Sequence, residues 1–428
     1  MLKYAFLTLL TTLFFVSHAY KIGAIFREKE DAHIEAALRY TVEWLTQRGI
    51  YGDIDVVIEY IEVLDHYDAL KKACKMIEKD HVVALFGGSH PALNAQLERL
   101  TDELDIPLLT SIDDLENSQG FSKIDFWPRA ELFEAIVDLF EHWKWTRIVL
   151  VYEEDIRIRR LEKLLESEKY SHIKFYLIKV DNKDYLKAAK QVKELEECRV
   201  LQKRDCSEFS RILVDMNPEH TYNFLLASLQ MGLIELKHWY LLTNMELEFM
   251  DMELFRYNHA RFISPHPIDD NFITEYRDTF NFTYFKEHVS SKWAIKTENN
   301  KNLKIMEAVF TFDAVFAFAN IFNTLSGEMQ MNDTPQTMCR KRDRNSRKYQ
   351  HGRRIIDNIV GNELHGLSGD LRRLKRDTIS LYQRMPDKVP NNFTMGIKLL
   401  GYSGKLDNVS LIIQKLNLKK RIISLTQI

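Results

Sequence analysis

Ala84-Leu-Phe-Gly-Gly-Ser-His-Pro91 is the stretch on which the fold turns. Its three apolar residues read as a short buried strand. Gly87 and Gly88 permit a tight turn, and Ser89 can cap a following helix. Pro91 sits in a first helical turn, where a missing N–H costs no intrahelical bond. A strand that passes through a glycine turn into a helix is half of a βαβ unit. The N-terminus of such a helix can hold an anion, for example an amino-acid carboxylate. The lysine and glycine spacing of a P-loop is absent, so this is not a nucleotide phosphate cradle.

The flanks repeat the pattern. Upstream, Lys21 to Phe26 reads as a strand, and Asp31 to Gln47 carries Ile34, Ala37, Leu38, Val42 and Leu45 at helical spacing. Ile54 to Val63 is expected as strand, Tyr67 to Lys79 as helix and Val82 to Phe86 as buried strand. Pro91 to Leu104 is helix again, with Ala92, Leu93, Leu97 and Leu100 on one face, and Ile106 to Leu109 returns to strand. Buried strands alternating with amphipathic helices argue for a parallel sheet covered on both faces.

A second unit of the same kind begins near Trp127. Helices are expected at Glu131 to Trp143, Arg157 to Glu168, Tyr185 to Glu197 and Pro218 to Met231. Strands are expected at Arg147 to Tyr152, Lys174 to Val180, Ser210 to Val214 and Trp239 to Leu242. Beyond these, Glu287 to Lys304 is polar and lysine-rich and reads as a loop. Ile305 to Leu325 is a helix with a body of phenylalanines, Gly352 to Asn362 a further helix, and the tail from Leu367 has strand character. The fold class is α/β, in two lobes.

Composition agrees with two lobes. Roughly 410 residues follow a short leader, more than one hydrophobic core usually serves, and 45% apolar content suits a folded chain. The leader is residues 1–19: Lys3, an apolar run through Val16, then Ser17-His18-Ala19. This reads as a cleavable secretory signal, too short to span a bilayer. No later segment reads as a run of roughly 18 apolar residues, so the remainder is expected outside the cell, with no membrane contact of its own. A formal net charge of −3 leaves no nucleic-acid footprint.

Four cysteines, Cys74, Cys198, Cys206 and Cys339, read as two disulfides in a secreted chain, and sequence alone leaves all three pairings open. Their spacing does not suit zinc, and neither a metal nor a cofactor is expected. Sequons stand at Asn281, Asn332, Asn392 and Asn408, all in the second half, which leaves the early helices free for protein contact. Neither a GxSxG elbow nor an HExxH helix occurs, so no catalytic residues are assigned.

At several points in order along the chain the sequence resembles one family. Lys21 to Phe26, Ala69 to Glu78 with Cys74, Ala84 to Ser89 and Ile106 to Thr110 are similar to the amino-terminal domain of ionotropic glutamate receptors. So are His142-Trp-Lys-Trp-Thr-Arg-Ile-Val-Leu-Val-Tyr152, Phe209 to Asp215, His238 to Thr243, Leu254 to Tyr257 and Thr311 to Val315. Leu364-His-Gly-Leu-Ser-Gly-Asp-Leu371 resembles the turn and strand of the kainate type. The resemblance covers roughly residues 20 to 400. It implies a leucine-binding-protein-like clamshell, the periplasmic-binding-protein type I fold. The implied division is residues 20–126 for lobe one, 127–263 for lobe two, 264–355 back in lobe one, 356–410 back in lobe two and a divergent tail at 411–428. It also implies a Cys74–Cys339 disulfide, leaving Cys198 and Cys206 to each other around a short insertion. The ligand-binding lobes and pore of such a receptor have no counterpart in these residues, so channel activity is not expected of them.

Two functions follow from the resemblance. One is subunit recognition, with a homo- or hetero-dimer formed through lobe-one helices Tyr67 to Lys79 and Pro91 to Leu104. The other is a small-molecule binding protein closing on an amino acid. The second needs a carboxylate cradle, for which Ser89, His90, Thr110 and Ser111 are the candidates, and an ammonium partner beyond Tyr152, at Glu153, Glu154 or Asp155. His90 and Pro91 stand where small hydroxyl residues would best line an anion site. Separately, Arg340, Lys341, Arg342, Arg344, Arg347 and Lys348, followed by Arg353 and Arg354, form a basic segment. It suits a glycosaminoglycan, an acidic protein patch, a basic-specific protease or simple solvation, and Arg372, Arg373, Lys375 and Arg376 would extend it.

Overall fold

A computed structural model describes residues 20–49, 54–62, 65–113, 120–127, 136–137, 139–155, 172–197, 207–297, 304–326, 339, 348–362, 364–370 and 380–384. In chain order the main elements begin with β1 (Tyr20–Phe26), α1 (Ala32–Arg48), β2 (Ile54–Tyr60), α2 (His66–Lys75), β3 (Ala84–Phe86), α3 (Pro91–Leu104), β4 (Leu108–Thr110) and β5 (Lys123–Asp125). They continue with β6 (Arg147–Tyr152), β7 (Lys174–Lys179), α4 (Tyr185–Glu196), β8 (Arg211–Asp215), α5 (Pro218–Gln230), β9 (Trp239–Leu242) and β10 (Arg261–His266). The last are α6 (Asp270–Glu275), α7 (Phe282–Thr297), α8 (Ile305–Ser326), α9 (Gly352–Gly361) and β11 (Ser380–Arg384). The described residues fall into two compact units. The first draws on those up to Trp127, within Tyr276–Glu298 and within Glu307–Gly366. The second draws on Pro128–Glu275, Asn299–Met306 and from Leu367 onward.

The first unit holds a five-stranded sheet in the order β2-β1-β3-β4-β5, every pair parallel. Ile22, Ala24, Ile25 and Phe26 of β1 are wholly buried, as a strand covered on both faces requires. On α1, Tyr40 meets Phe285 (ring centroids 5.1 Å) and Trp44 meets Phe312 of α8 (5.2 Å). The Trp44 indole N–H donates to the Thr279 carbonyl at 3.0 Å, so the ring is buried with its polar edge satisfied. Cys74 of α2 is joined to Cys339 by a disulfide, with Cα atoms 5.7 Å apart across a separation of 265 residues. The helix expected to run from Tyr67 to Lys79 ends at Lys75 and continues as one π-helical turn, Met76–Asp80, before His81 turns the chain in the left-handed conformation.

The second unit repeats the topology. Its sheet runs β11-β10-β9-β8-β6-β7; five strands are parallel, and β11 is antiparallel on the edge beside β10. Val149, Ile212, Tyr240 and Phe262 lie in one row on the face that packs into the main apolar cluster. In both sheets the first strand of the unit lies between the second and the third. Each therefore has a topological switch point, at the carboxyl ends of β1 and β3 and of β6 and β8, where doubly wound sheets place ligands.

Three sequence expectations are corrected. The loop expected over Glu287 to Lys304 is helical as far as Thr297, within α7. Phe285, Val289 and Trp293 form its stripe at i, i+4 and i+8, all buried, with Trp293 edge-on to His33 of α1 (4.9 Å). Lysines on the other positions masked that stripe. Second, one helix does reach membrane-span length and hydropathy: Ile305–Leu325, nearly all of it buried. It is long and apolar because phenylalanines and alanines on all its sides are enclosed by protein. Third, the chain does not return to the first unit at 264. β10 pairs with β9 and α6 follows within the second unit, so the return comes at Tyr276, and α9 with residues up to Gly366 stays in the first. The helix expected at Arg157 to Glu168 and the strand at Met395 to Tyr402 lie outside the described residues.

Candidate ligand sites and recognition surfaces

At the switch point of the first unit the cradle around Ser89 is already filled, by a carboxylate of the chain itself. Asp31 occupies the N-cap position of α1 but makes no side-chain bond to its own helix. It is fully buried, and its carboxylate turns to the neighbouring strand ends. Oδ1 accepts the Ser89 N–H at 3.0 Å and also the Ser89 hydroxyl. Oδ2 accepts the Arg27 N–H at 2.7 Å. The Arg27 guanidinium donates to Ser89 Oγ at 2.8 Å and lies 3.7 Å from Asp31 Oδ1, which closes the ring. Gly88 is what admits the carboxylate: a Cβ there would lie 2.5 Å from Asp31 Oδ2 and 3.2 Å from the Ile25 carbonyl oxygen. Asn94 Nδ2, from the first turn of α3, donates to the Gly88 carbonyl at 2.9 Å and fixes the turn. The turn ahead of the helix thus holds an anion, through the Ser89 N–H and hydroxyl, and the anion is an aspartate side chain.

The other first-unit candidates differ: the Ser111 hydroxyl is engaged, whereas the buried Thr110 hydroxyl has no hydrogen-bond partner among the described residues. Ser111 is buried, and its hydroxyl meets Thr311 Oγ1 at 2.8 Å; Thr311 in turn donates to the Glu307 carbonyl at 2.7 Å. Thr110 is fully buried, and its backbone carbonyl accepts the Phe126 N–H at 2.9 Å. His90 is the residue before α3 and is half-buried.

The switch point of the second unit is filled in the corresponding way. Glu153 follows β6, and its carboxylate accepts the Asn217 N–H, just before α5, at 2.8 Å. Its other oxygen meets His220 Nδ1. Of the remaining carboxylates expected to receive an amine, Asp155 faces Lys179 Nζ at 2.7 Å and Glu154 is exposed. Burial raises the Tyr152 phenol above its ordinary range, and Asp155 adds to the shift. Asp31, Arg27, Asn217 and His220 were not among the sequence candidates. The one sequence signal was an aspartate at a predicted helix start, which reads as an ordinary N-cap.

Another buried carboxylate organises the second unit. Glu246 accepts the N–H groups of Ile305 at 3.2 Å and Met306 at 2.8 Å. It thereby places negative charge at the positive end of α8.

Much of the basic segment lies outside the described residues: Arg340, Lys341, Arg342, Arg344 and Arg347, with Arg372, Arg373, Lys375 and Arg376. Its described end is engaged in structure. Lys348 Nζ is 3.2 Å from Asp105 Oδ1, and Arg353 Nε is 3.3 Å from Oδ2. Asp105 ends α3 in the left-handed conformation, so the two cations sit at a helix C-terminus, where the macrodipole favours them. Arg353 also covers the Phe121 ring at 4.7 Å. Gly352 passes so close to the Asp105 carbonyl that no side chain fits there.

On the helices expected to meet a partner, α2 buries Ala69 and Ala73 and α3 buries Leu93 and Leu97. Ala92 and Leu100 of the predicted stripe are only half-buried, Arg99 is exposed, and Tyr67 at the start of α2 is 77% exposed. Asn281 is exposed at the start of α7. Its Oδ1 accepts the Tyr284 N–H at 3.0 Å, which leaves the amide nitrogen, the glycan-bearing atom, outside the cap. Asn332, Asn392, Asn408, Cys198 and Cys206 lie outside the described residues.

The comparisons with known proteins agree with this architecture. A family model described as "Receptor family ligand binding region" matches residues 33–380. "Glutamate receptor ionotropic, kainate 1" of Rattus norvegicus is 26% identical over 253 residues, covering 56% of this chain and 25% of the relative. The Homo sapiens protein of the same name is 26% identical over 250 residues, covering 56% and 26%, and that of Mus musculus 26% over 250 residues, covering 56% and 28%. The chain spans about a quarter of the length of these curated relatives.

Proposed function

This chain belongs to the receptor family ligand-binding regions, a non-enzymatic family, and from that membership we propose that it is the extracellular recognition domain of a kainate-type glutamate receptor-like subunit, acting in subunit assembly. The observation that carries this reading is the filling of both switch points by the chain's own carboxylates, Asp31 and Glu153. A domain that senses an amino acid would keep those donors and acceptors for its ligand. Here they hold strand ends together, and the family scaffold is left to work through its surface. Residues 1–19 direct the chain to the secretory route, and the sequon at Asn281 carries a glycan there. The half-buried Ala92 and Leu100, with the exposed Tyr67 and Arg99, form the lobe-one face offered to a second subunit, arranged two-fold.

Arg99→Asn tests this face with a single change, because Leu100 and Thr101 complete a sequon. The unmodified chain is expected to sediment as a concentration-dependent dimer, and the glycosylated variant as a monomer with unchanged melting. A purely monomeric unmodified chain at high micromolar concentration would contradict self-assembly through this face.

A further inference from the structure

At the start of α7 one aromatic ring is turned outward while its neighbour packs inward: Phe285 is buried and Tyr284 is 60% exposed. The Tyr284 ring continues a strip formed with Tyr40 of α1 and His288. Ring centroids are 6.1 Å apart for Tyr40–Tyr284, 6.4 Å for Tyr284–His288 and 5.6 Å for Tyr40–His288. Burial pushes the Tyr40 phenol up to about 12 and holds His288 below its ordinary range, so neither ring is charged near neutral pH. A singly exposed tyrosine is ordinary on a protein surface. This one stands three residues after Asn281, which opens the sequon Asn281-Phe282-Thr283, and both Asn281 and Thr283 are exposed.

Helix geometry brings the two together. Residues three apart share a helix face, and helical side chains lean toward the amino-terminal end, which directs the Tyr284 ring back toward Asn281. The Asn281 amide is also held in place. Its Oδ1 accepts the Tyr284 N–H at 3.0 Å, and its backbone carbonyl accepts the Phe285 N–H at 2.9 Å. Nδ2 therefore has a set direction, and a group attached to it loses less freedom on packing down. Attachment of a glycan forms a bond from Nδ2 to the anomeric carbon and breaks that carbon's bond to a lipid diphosphate, which leaves with the proton. Oδ1 and its cap are untouched. The first sugar, N-acetylglucosamine, has an apolar C–H face, which the negative face of an aromatic ring attracts. The strand order β2-β1-β3-β4 with right-handed crossovers puts α1 on one side of the first sheet and α2 and α3 on the other. Tyr40 and Phe285 join α7 to α1, so a glycan there leaves the α2–α3 face free for a second subunit. This packing rests on the proposed secretion and glycosylation of the chain. We propose that the first N-acetylglucosamine on Asn281 packs its C–H face against Tyr284, which makes the glycan a fixed part of the α1–α7 surface.

The test uses the full secreted chain with Asn332→Gln, Asn392→Gln and Asn408→Gln, made with high-mannose glycans, so that Asn281 is the sole sequon. Endoglycosidase H leaves the first N-acetylglucosamine in place. Peptide-N-glycosidase removes the whole glycan and converts the asparagine to an aspartate, which still caps the helix and suits its positive end. The endoglycosidase product should melt within about 1 °C of the untrimmed protein and the fully deglycosylated one about 2–4 °C lower, the shift expected of one such ring contact. Tyr284→Ala should bring the two digests to one melting temperature, and Tyr284→Phe, which keeps the ring, should preserve the gap. By NMR, the C–H protons of that sugar should lie upfield through the ring current and return in Tyr284→Ala. Equal melting of the two digests, a gap that survives Tyr284→Ala, or unshifted sugar protons would overturn the packing and leave the secreted, glycosylated reading standing. A bare Asn281 in peptide mass spectrometry of the secreted chain would overturn the packing together with the glycan.

Discussion

Asp31→Ala is expected to destabilise the first unit by about 3 kcal/mol and to create a site that small carboxylates refill. The cost follows from what is left behind. The Arg27 and Ser89 N–H groups lose a charged acceptor, and the Arg27 guanidinium loses its nearby anion. Hydrogen bonds to charged groups contribute roughly 1.5–3 kcal/mol, and stripping one partner from a buried charged pair costs about 3–5 kcal/mol. Urea unfolding should show the midpoint falling with an unchanged slope. Formate or acetate should then recover part of the loss in the variant and none in the unmodified chain, since only the variant has an open cradle. An unchanged midpoint would mean that Asp31 is not what holds the turn after β3.

Removing the disulfide should have the larger effect. Cys74 and Cys339 close a loop with a sequence separation of 265 residues. In the chain-entropy account such a loop restricts the unfolded ensemble by about 5 kcal/mol. A paired Cys74→Ser and Cys339→Ser chain is therefore expected to lose a large part of a stability that for most domains is only about 5–15 kcal/mol. Secretion yield should drop, and the melting temperature of whatever is secreted should fall. If the paired variant melted like the unmodified protein, the loop would have to be restricted by something other than this bond.

The alternation of strands and helices was legible because each buried strand is a compact apolar run and each helix carries a stripe. Pro91–Leu104 and Trp239–Leu242 have the bounds read from sequence. Other elements escaped for physical reasons. β10 contains Pro265, which argues against a strand, and tolerates it beside the antiparallel edge strand β11. β5 is three residues long. α7 hides three large apolar residues among lysines. The candidate sites were half legible. Ser89 follows β3 and Glu153 follows β6, where the sequence reads as a strand running into a turn. Their occupants were not visible, since Asp31 lies 58 residues from Ser89 and His220 lies 67 from Glu153. Local patterning can say that a strand–turn–helix junction suits an anion; only the folded chain shows that its own Asp31 meets the Ser89 turn.

The central claim, that this domain recognises partners and does not sense an amino acid, is tested most directly by thermal melting of the unmodified chain with millimolar glutamate, glycine and other amino acids. A ligand at about 100 times its Kd would stabilise the fold by about 2.7 kcal/mol. With Asp31 and Glu153 in place, no comparable shift is expected for any of them. A clear, saturable rise in melting temperature that Ser89→Ala abolishes would show that the first switch point is open to ligand, and would contradict the account.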